Sequence, residues 1–267
     1  MNAPRTFVFC GHRGNMADSP ENTLRSFSSA ERVGVDEIEL DVRVTKDGVL
    51  VVIHDRTVER TAATATPHLR TPVEDLTFDE LRTVDLGHGQ RIPTLVETLD
   101  STTALLQVEI KAPAAARELA LMLSTRSNAD QARCLVTSFH PLSLSEFSEA
   151  SPGLPRGTAL HVPDLDSNWR DDARRLDVST ILLNLSSLTR ALVDEMHDSG
   201  YRVGGSLLAG PADVRRILEL DVDASSSDSP GYARQLLGAS AQFGVRFPSF
   251  SLRESKLSLI GSIGVPR

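Results

Sequence analysis

The sequence predicts an α/β fold, a (β/α)8 TIM barrel with an extra β-hairpin strand after strand two. Short apolar runs alternate with helical patterns eight times along the chain. The 267 residues, 40% of them hydrophobic, suit a single domain over residues 1–267. The alternative, an open doubly wound sheet, is disfavoured because Gly11-His-Arg-Gly14 lacks the glycine spacing of a dinucleotide-binding turn.

The first two units carry the clearest signals. Residues 6–12 form an apolar run, which predicts the first strand. We expect Ser19 to be the N-cap of the first helix, because Pro20 suits the first helical position. Residues 37–45 are the second strand, and the Asp-Gly turn that follows predicts a return strand over residues 49–54.

The rest of the chain follows the same alternation. A loop insertion is expected at about 56–76 and a loosely held tail at about 247–267. Further strands are predicted at 104–111, 134–139, 157–162, 180–185, 202–207 and 222–226. Helices are predicted at 78–84, 93–99, 114–123, 142–147, 171–176, 190–197, 214–220 and 232–243.

The second strand places three acidic side chains on one face. Alternate residues of a strand share a face, so Glu37, Glu39 and Asp41 lie together. Neighbouring carboxylates repel, and they persist at low cost in water, beside cations or around a metal ion. A solvated edge strand is therefore one interpretation, and a metal site is the other.

Neighbouring strand ends favour the metal site. His12, His54 and Glu109 each lie at or near the end of a predicted strand, where barrel enzymes carry their catalytic groups. Glu39, Asp41 and Glu109 would form an all-oxygen site suited to one divalent cation, Mg²⁺ or Ca²⁺.

Cations and histidines complete the predicted site. Arg13 and Lys111 would bind a phosphate, and two histidines, His12 and His54, would exchange protons with the nucleophile and the leaving group. Two alternatives stay open: Lys111 paired only with Glu109, and Asp55 as a hairpin-end turn residue. The other histidines are predicted to be surface or loop residues: His68, His88, His140, His161 and His197.

Composition excludes several classes of function. The formal net charge is −8 and no basic cluster is present, which disfavours nucleic acid as a partner and leaves a small anionic substrate. We expect neither a signal peptide nor an integral membrane segment, and therefore a cytoplasmic protein. Cys10 and Cys134 are predicted to be buried, reduced thiols. The oligomeric state is left open.

The order of these motifs resembles the glycerophosphodiester phosphodiesterase family. The resemblance covers roughly the first half of the chain, and Ser138-Phe139 and Ser227-Asp228-Ser229-Pro230 are weaker marks of it further on. Its motifs are Gly-His12-Arg13-Gly14, Pro20-Glu21-Asn22-Thr23, Glu39-Leu-Asp41-Val, Thr45-Lys-Asp-Gly48, His54-Asp55 with Arg60-Thr61, Ile92-Pro-Thr-Leu95 and Glu109-Ile-Lys111.

The resemblance implies a metal-dependent barrel enzyme that hydrolyses glycerophosphodiesters, such as glycerophosphocholine, to glycerol 3-phosphate and an alcohol. It implies that Glu21 and Asn22 support the site, with Glu21 near the metal. It also implies attack by the substrate's own glycerol hydroxyl, followed by opening of a cyclic product by water. One histidine would be the base and the other the acid, and we favour His54 as the acid.

The sequence departs from the family at three places. They are Ala62-Ala-Thr-Ala65, Val203-Gly-Gly-Ser206 where an aromatic residue is usual, and Ser227 where threonine is usual. These departures concern substrate preference more than chemistry. Two competing functions remain: a sphingomyelinase D- or phospholipase D-like enzyme acting on intact lipids, and a non-catalytic barrel that binds a phosphodiester.

Overall fold

A closed barrel of eight parallel strands forms the centre of the molecule, and a ninth strand pairs outside it. The computed structural model describes residues 7–150, 153–166 and 168–241. The tail predicted at 247–267 lies outside these residues. None of the described helices combines the length and the apolar composition that crossing a bilayer requires.

The elements follow the predicted alternation of strand and helix. The strands are β1 (Val8–Gly11), β2 (Glu37–Val44), β3 (Leu50–Val52), β4 (Leu105–Ile110), β5 (Cys134–Ser138), β6 (Thr158–Val162), β7 (Thr180–Asn184), β8 (Arg202–Ser206) and β9 (Ala224–Ser227). The helices are α1 (Leu24–Val33), α2 (Phe78–Arg82), α3 (Leu95–Ser101), α4 (Ala114–Ser124), α5 (Asn128–Arg133), α6 (Pro141–Ala150), α7 (Trp169–Arg175), α8 (Arg190–Asp198), α9 (Pro211–Leu220) and α10 (Pro230–Ala241).

Pairing of β1 with both β2 and β9 closes the barrel. β3 runs antiparallel to β2 and lies outside the ring, which confirms the predicted hairpin strand. The open doubly wound sheet is excluded. β2 also pairs with β4, so it is a central strand, and the interpretation of residues 37–42 as a solvated edge strand is wrong.

The first helix begins later than the sequence predicts. Thr23, not Ser19, is the N-cap of α1, and its side chain accepts a hydrogen bond from the backbone N–H of Ser26. The preceding residues follow a different path, because Asn22 adopts a left-handed conformation (φ 55°). Its side chain is thereby directed to the barrel. The helix α5, capped by Ser127, was not predicted from the sequence.

The main core lies between the barrel and the helices and contains Phe9, Phe27 and Phe147, all almost fully buried. Cys10 and Cys134 are buried free thiols, as predicted. The irregular segment after β3 contributes Val58, Val73 and Leu76 to a second apolar cluster. This cluster packs the segment against Val51 of β3 and against Ile53, the residue before His54.

We predict that Gly14→Ala destabilises the protein far more than Gly48→Ala. Both glycines have positive φ, 85° and 82°, where a side chain costs about 1–2 kcal/mol. A Cβ on Gly14 would also lie 2.7 Å from the carbonyl carbon of Ser26, whereas nothing lies within 4 Å at Gly48. We expect a difference of about 2 kcal/mol between the two variants in urea unfolding. Equal losses would contradict the steric explanation.

Candidate active site

Side chains from four segments meet above the carboxyl ends of β1, β2 and β4: residues 12–13, 39–41, 54 and 109–111. All but Asp41 among the predicted catalytic, phosphate-binding and metal residues line a cavity of about 510 Å³. The strand register explains the convergence, because Asp41 is paired with Glu109 across neighbouring strands and both side chains face inward. His12 follows β1, and His54 follows β3. The residues predicted from separate motifs therefore lie together at one end of the barrel.

The carboxylates of Glu39, Asp41 and Glu109 form a compact buried cluster. One oxygen or more from each lies within 4.8 Å of the others. Burial, with the charge of Asp41, raises the pKa of Glu39 to about 8, and the same two causes raise the pKa of Glu109. The cluster is therefore electrostatically unfavourable when no cation neutralises it.

The donor set fits a divalent cation. Glu39 Oε1 and Asp41 Oδ1 are buried and accept no hydrogen bond from any described residue. Buried carboxylate oxygens without a partner cost free energy, and a bound cation would satisfy both. The three side chains offer oxygen and no sulfur, which is the chemistry that Mg²⁺ and Ca²⁺ prefer.

The predicted phosphate-binding cations lie beside these carboxylates. Lys111 Nζ is 2.6 Å from Glu109 Oε1 and 3.6 Å from Asp41 Oδ1. Arg13 Nε is 3.4 Å from Asp41 Oδ2, and Arg13 Nη1 donates to Glu21 Oε1. Lys111 is thus not in a simple pair with Glu109, since it also faces the cluster and the cavity.

The two histidines are held in the same way. His12 Nδ1 donates to Asp228 Oδ1, and His54 Nδ1 donates to Asp55 Oδ1, each at 2.6 Å. A carboxylate can only accept, so it fixes the proton on Nδ1 and leaves Nε2 of each ring for the substrate. Asp55 is therefore a histidine partner rather than only a turn residue.

The environments of the two histidines differ. Burial lowers the pKa of His12, but the charge of Glu39 and the hydrogen bond to Asp228 outweigh it, and the net pKa is above its ordinary value. Burial lowers the pKa of His54, and the opposing effects of Asp41 and Asp55 do not cancel it. Without a cation, His12 is therefore the more readily protonated ring.

Arg13, Glu21 and Asn22 lie between β1 and α1, and their hydrogen bonds hold this segment in place beside the carboxylate cluster. Asn22 Nδ2 donates to Asp41 Oδ2 at 2.7 Å, and its left-handed backbone brings this about. Arg13 is also left-handed (φ 51°), and its backbone N–H donates to Glu39 Oε2. Glu21 lies outside the three-carboxylate cluster and instead pairs with Arg13 and Arg60.

His161 is a member of the site that the sequence assigned wrongly to the surface or a loop. It lies on β6 and lines the cavity. Burial, with the charge of Lys111, lowers the pKa of His161 to about 3, so the ring is neutral. Phe139 stacks on it with ring centroids 4.2 Å apart. The available signal was its position two residues after the inward-facing Ala159.

Asp228 is the second residue that sequence reasoning missed. It belongs to the Ser-Asp-Ser-Pro segment after β9, and its position one residue beyond that strand was the available signal. His197 is also misassigned: it is buried and contacts Asp223 at 2.8 Å, away from the cavity. His140 and His88 are exposed, as predicted.

Glu37 does not belong to the cluster, although it shares the face of Glu39 and Asp41. It is buried deeper in the barrel, where its carboxylate lies 2.5 Å from Arg156. Two residues along a strand span about 7 Å, which separates it from the carboxyl end.

Strand β8 forms the far wall of the cavity with small residues. A Cβ at Gly204 would lie 2.4 Å from Leu182 Cδ2, so a larger residue there would require the Leu182 side chain to move. Ser206 lines the cavity where the family resemblance leads one to expect an aromatic ring. The departure noted in the sequence thus leaves this wall open.

We predict that Ser206→Trp reduces kcat/KM most for substrates with large alcohol groups. The indole would fill part of the cavity opposite the carboxylates, so the loss should grow with the size of the alcohol. The measurement is kcat/KM for glycerophosphoethanolamine and glycerophosphoinositol, with Ser206→Thr as the control of similar polarity. Equal losses for both substrates would contradict the prediction.

Known proteins match the chain over most of its length. The sequence model of the glycerophosphoryl diester phosphodiesterase family matches residues 12–232. A glycerophosphodiester phosphodiesterase of Caldanaerobacter subterraneus is 31% identical over 232 residues, which cover 82% of this chain and 93% of that protein. A probable glycerophosphodiester phosphodiesterase of Mycobacterium tuberculosis is 29% identical, with 88% and 92% covered.

Solved structures share the fold. A Silicibacter pomeroyi protein that carries this family's name has a TM-score of 0.79 at 26% identity, with 92% of this chain and 97% of that chain covered. An Oleispira antarctica phosphodiesterase, solved in complex with the product sn-glycerol-3-phosphate, has a TM-score of 0.75 at 22% identity, with 87% and 97% covered. Sequence and fold agree, and the chain belongs to the glycerophosphoryl diester phosphodiesterase family of enzymes.

Proposed function

We propose that the protein hydrolyses glycerophosphodiesters, such as glycerophosphocholine, to glycerol 3-phosphate and an alcohol, and that it requires one divalent cation. The observation that carries the proposal is the buried carboxylate cluster, which shares one cavity with two carboxylate-held histidines. A cavity of about 510 Å³ suits a small molecule. Family membership supports the reaction class.

In this proposal Glu39, Asp41 and Glu109 hold Mg²⁺ or Ca²⁺. The bound cation supplies a positive charge that polarises a phosphoryl oxygen. Arg13 and Lys111 bind the phosphate and keep it beside the cluster. Their side chains are only 13% and 14% exposed, so little water competes for their charge.

The histidines move the protons. The glycerol hydroxyl attacks phosphorus while one histidine Nε2 takes its proton, and the other Nε2 donates a proton to the oxygen of the departing alcohol. Water then opens the cyclic product. In the cation-free site the pKa of His12 is raised and that of His54 is lowered, and on this basis we assign His54 as the base and His12 as the acid, the reverse of the assignment favoured from the sequence.

A second candidate function concerns lipid substrates. Phe139 and Leu207 line the cavity and are 41% and 36% exposed. Apolar side chains at the mouth of a site favour a substrate with an apolar substituent, as in the sphingomyelinase D- or phospholipase D-like alternative. Membership in a family of enzymes disfavours the non-catalytic binding barrel.

The test is release of glycerol 3-phosphate from a panel of glycerophosphodiesters, with Mg²⁺, Ca²⁺ or EDTA. We expect turnover that requires the cation, and headgroups that differ in kcat/KM. Parallel assays on lysophospholipids below and above their micellar concentration test the lipid alternative. Absence of turnover with every diester and metal would refute the proposed function, and turnover of micellar lysolipid alone would favour the second candidate.

A further inference from the structure

Arg60 joins two parts of the site that are distant in sequence. Its Nη1 and Nη2 donate to the two carboxylate oxygens of Glu21 at 2.6 and 2.7 Å. Its Nε donates to Asp55 Oδ2 at 2.7 Å. All three nitrogens of one guanidinium are therefore engaged by carboxylates.

Each of these carboxylates also holds a residue of the proposed chemistry. The other oxygen of Asp55 accepts from His54 Nδ1, and Glu21 Oε1 accepts from Arg13 Nη1. The result is a continuous chain of charge-assisted hydrogen bonds: His54, Asp55, Arg60, Glu21, Arg13. Such bonds are short and directional, and a planar guanidinium transmits its orientation to both partners.

We infer that Arg60 is a positioning residue, which aligns His54 through Asp55 and Arg13 through Glu21. The inference rests on the proposed function, in which the histidine moves a proton and the arginine binds the phosphate. Arg60 itself lines neither the cavity nor the carboxylate cluster. Its side chain is 48% exposed, so solvent screens its ion pairs more than it would screen those of a buried arginine. The bidentate contact with Glu21 and the bond to Asp55 fix the orientation of both carboxylates.

Loss of the Arg60 guanidinium should leave both His54 and Arg13 less firmly oriented. With Arg60 replaced by alanine, Asp55 is free to rotate away from His54, and Glu21 is left with Arg13 as its sole described cationic partner. Small displacements of a proton-transfer group lower rates by about 10²-fold. Lysine at this position keeps the charge but reaches one carboxylate at a time, so its effect should lie between those of arginine and alanine.

The experiment compares Arg60→Ala, Arg60→Lys and Arg60→Gln with Arg70→Ala. Arg70 is a matched control, since it lies in the same irregular segment and pairs only with Glu59 on the surface among described residues. We expect kcat to fall about 10- to 100-fold for Arg60→Ala, to recover in part for Arg60→Lys, and to be unchanged for Arg70→Ala. Thermal melting establishes that each variant is folded. If Arg60→Ala unfolds the protein, the kcat values of Arg60→Gln and Arg60→Lys provide the test.

A double-mutant cycle tests the route of the effect. If Arg60 acts through Asp55, Asp55→Asn costs much less kcat in the Arg60→Gln background than in the wild type. Calorimetric titration with sn-glycerol 3-phosphate tests the Arg13 end without turnover, and Arg60→Gln should bind it about 10-fold more weakly than Arg70→Ala. Absence of wild-type turnover refutes the proposed function. Equal kcat and equal affinity in the Arg60 and Arg70 variants, or additive effects in the cycle, would overturn the inference.

Discussion

His12→Ala is expected to lower kcat for glycerophosphocholine by about 10²- to 10⁴-fold, the usual contribution of a positioned proton-transfer group. The physical reason is the loss of the protonated Nε2, which is directed into the cavity because Asp228 holds Nδ1. KM should change little, since Arg13 and Lys111 remain. The measurement is steady-state kinetics on the folded, metal-loaded variant. His140→Ala is the control, because His140 is exposed near the same end of the barrel.

A substrate with a good leaving group can identify which histidine is the acid. A p-nitrophenyl leaving group needs no protonation, so a variant without the acid regains activity on it, whereas a variant without the base does not. We expect His12→Ala to be rescued on a glycerophospho-p-nitrophenyl substrate and His54→Ala to remain impaired. Rescue of His54→Ala alone would restore the assignment favoured from the sequence.

Glu39→Gln is expected to abolish cation binding and, with it, activity. In the wild type, a cation at 100 times its dissociation constant should stabilise the fold by about 2.7 kcal/mol, since it binds the folded state alone. The variant should show no such stabilisation, because one of three ligands is lost. The measurement is thermal or urea unfolding with Mg²⁺, Ca²⁺ or EDTA. Glu59→Gln, on the surface, is the control and should keep the full response.

Glu39→Gln should also be more stable than the wild type in EDTA at pH 8. Burial and Asp41 raise the pKa of Glu39 from 4.5 to about 8, so the folded state binds more protons than the unfolded state between these values. Stability of the wild type in EDTA must therefore fall as the pH rises from 4.5 to 8. Glutamine carries no charge at any pH, and the slope should become shallower. An unchanged slope would contradict the account of the cluster as mutually repelling carboxylates.

The pattern of residues was sufficient for the barrel and for the central members of the site. Strict alternation in β2 placed Glu39 and Asp41 on one face, and parallel strands bring their carboxyl ends to one end of a barrel. The start of α3 was predicted to within two residues, at 93, because its capping box of Thr94 and Glu97 is a local feature. The start of α1 was not, because a tertiary contact between Asn22 and Asp41 outweighs the helix-start signal at Ser19 and Pro20.

Local sequence therefore determined the fold class, the carboxylate cluster and the two histidines, since these depend on periodicity and on the ends of strands. Tertiary structure alone decided which other residues complete the site. Asp228 meets His12 across 216 positions of sequence, a contact that exists only because β9 pairs with β1. His161 enters the cavity because β6 turns it inward, and Glu37, two residues below Glu39 on β2, lies outside the cluster and pairs with Arg156. Closure of the barrel creates these contacts, and no local pattern encodes them.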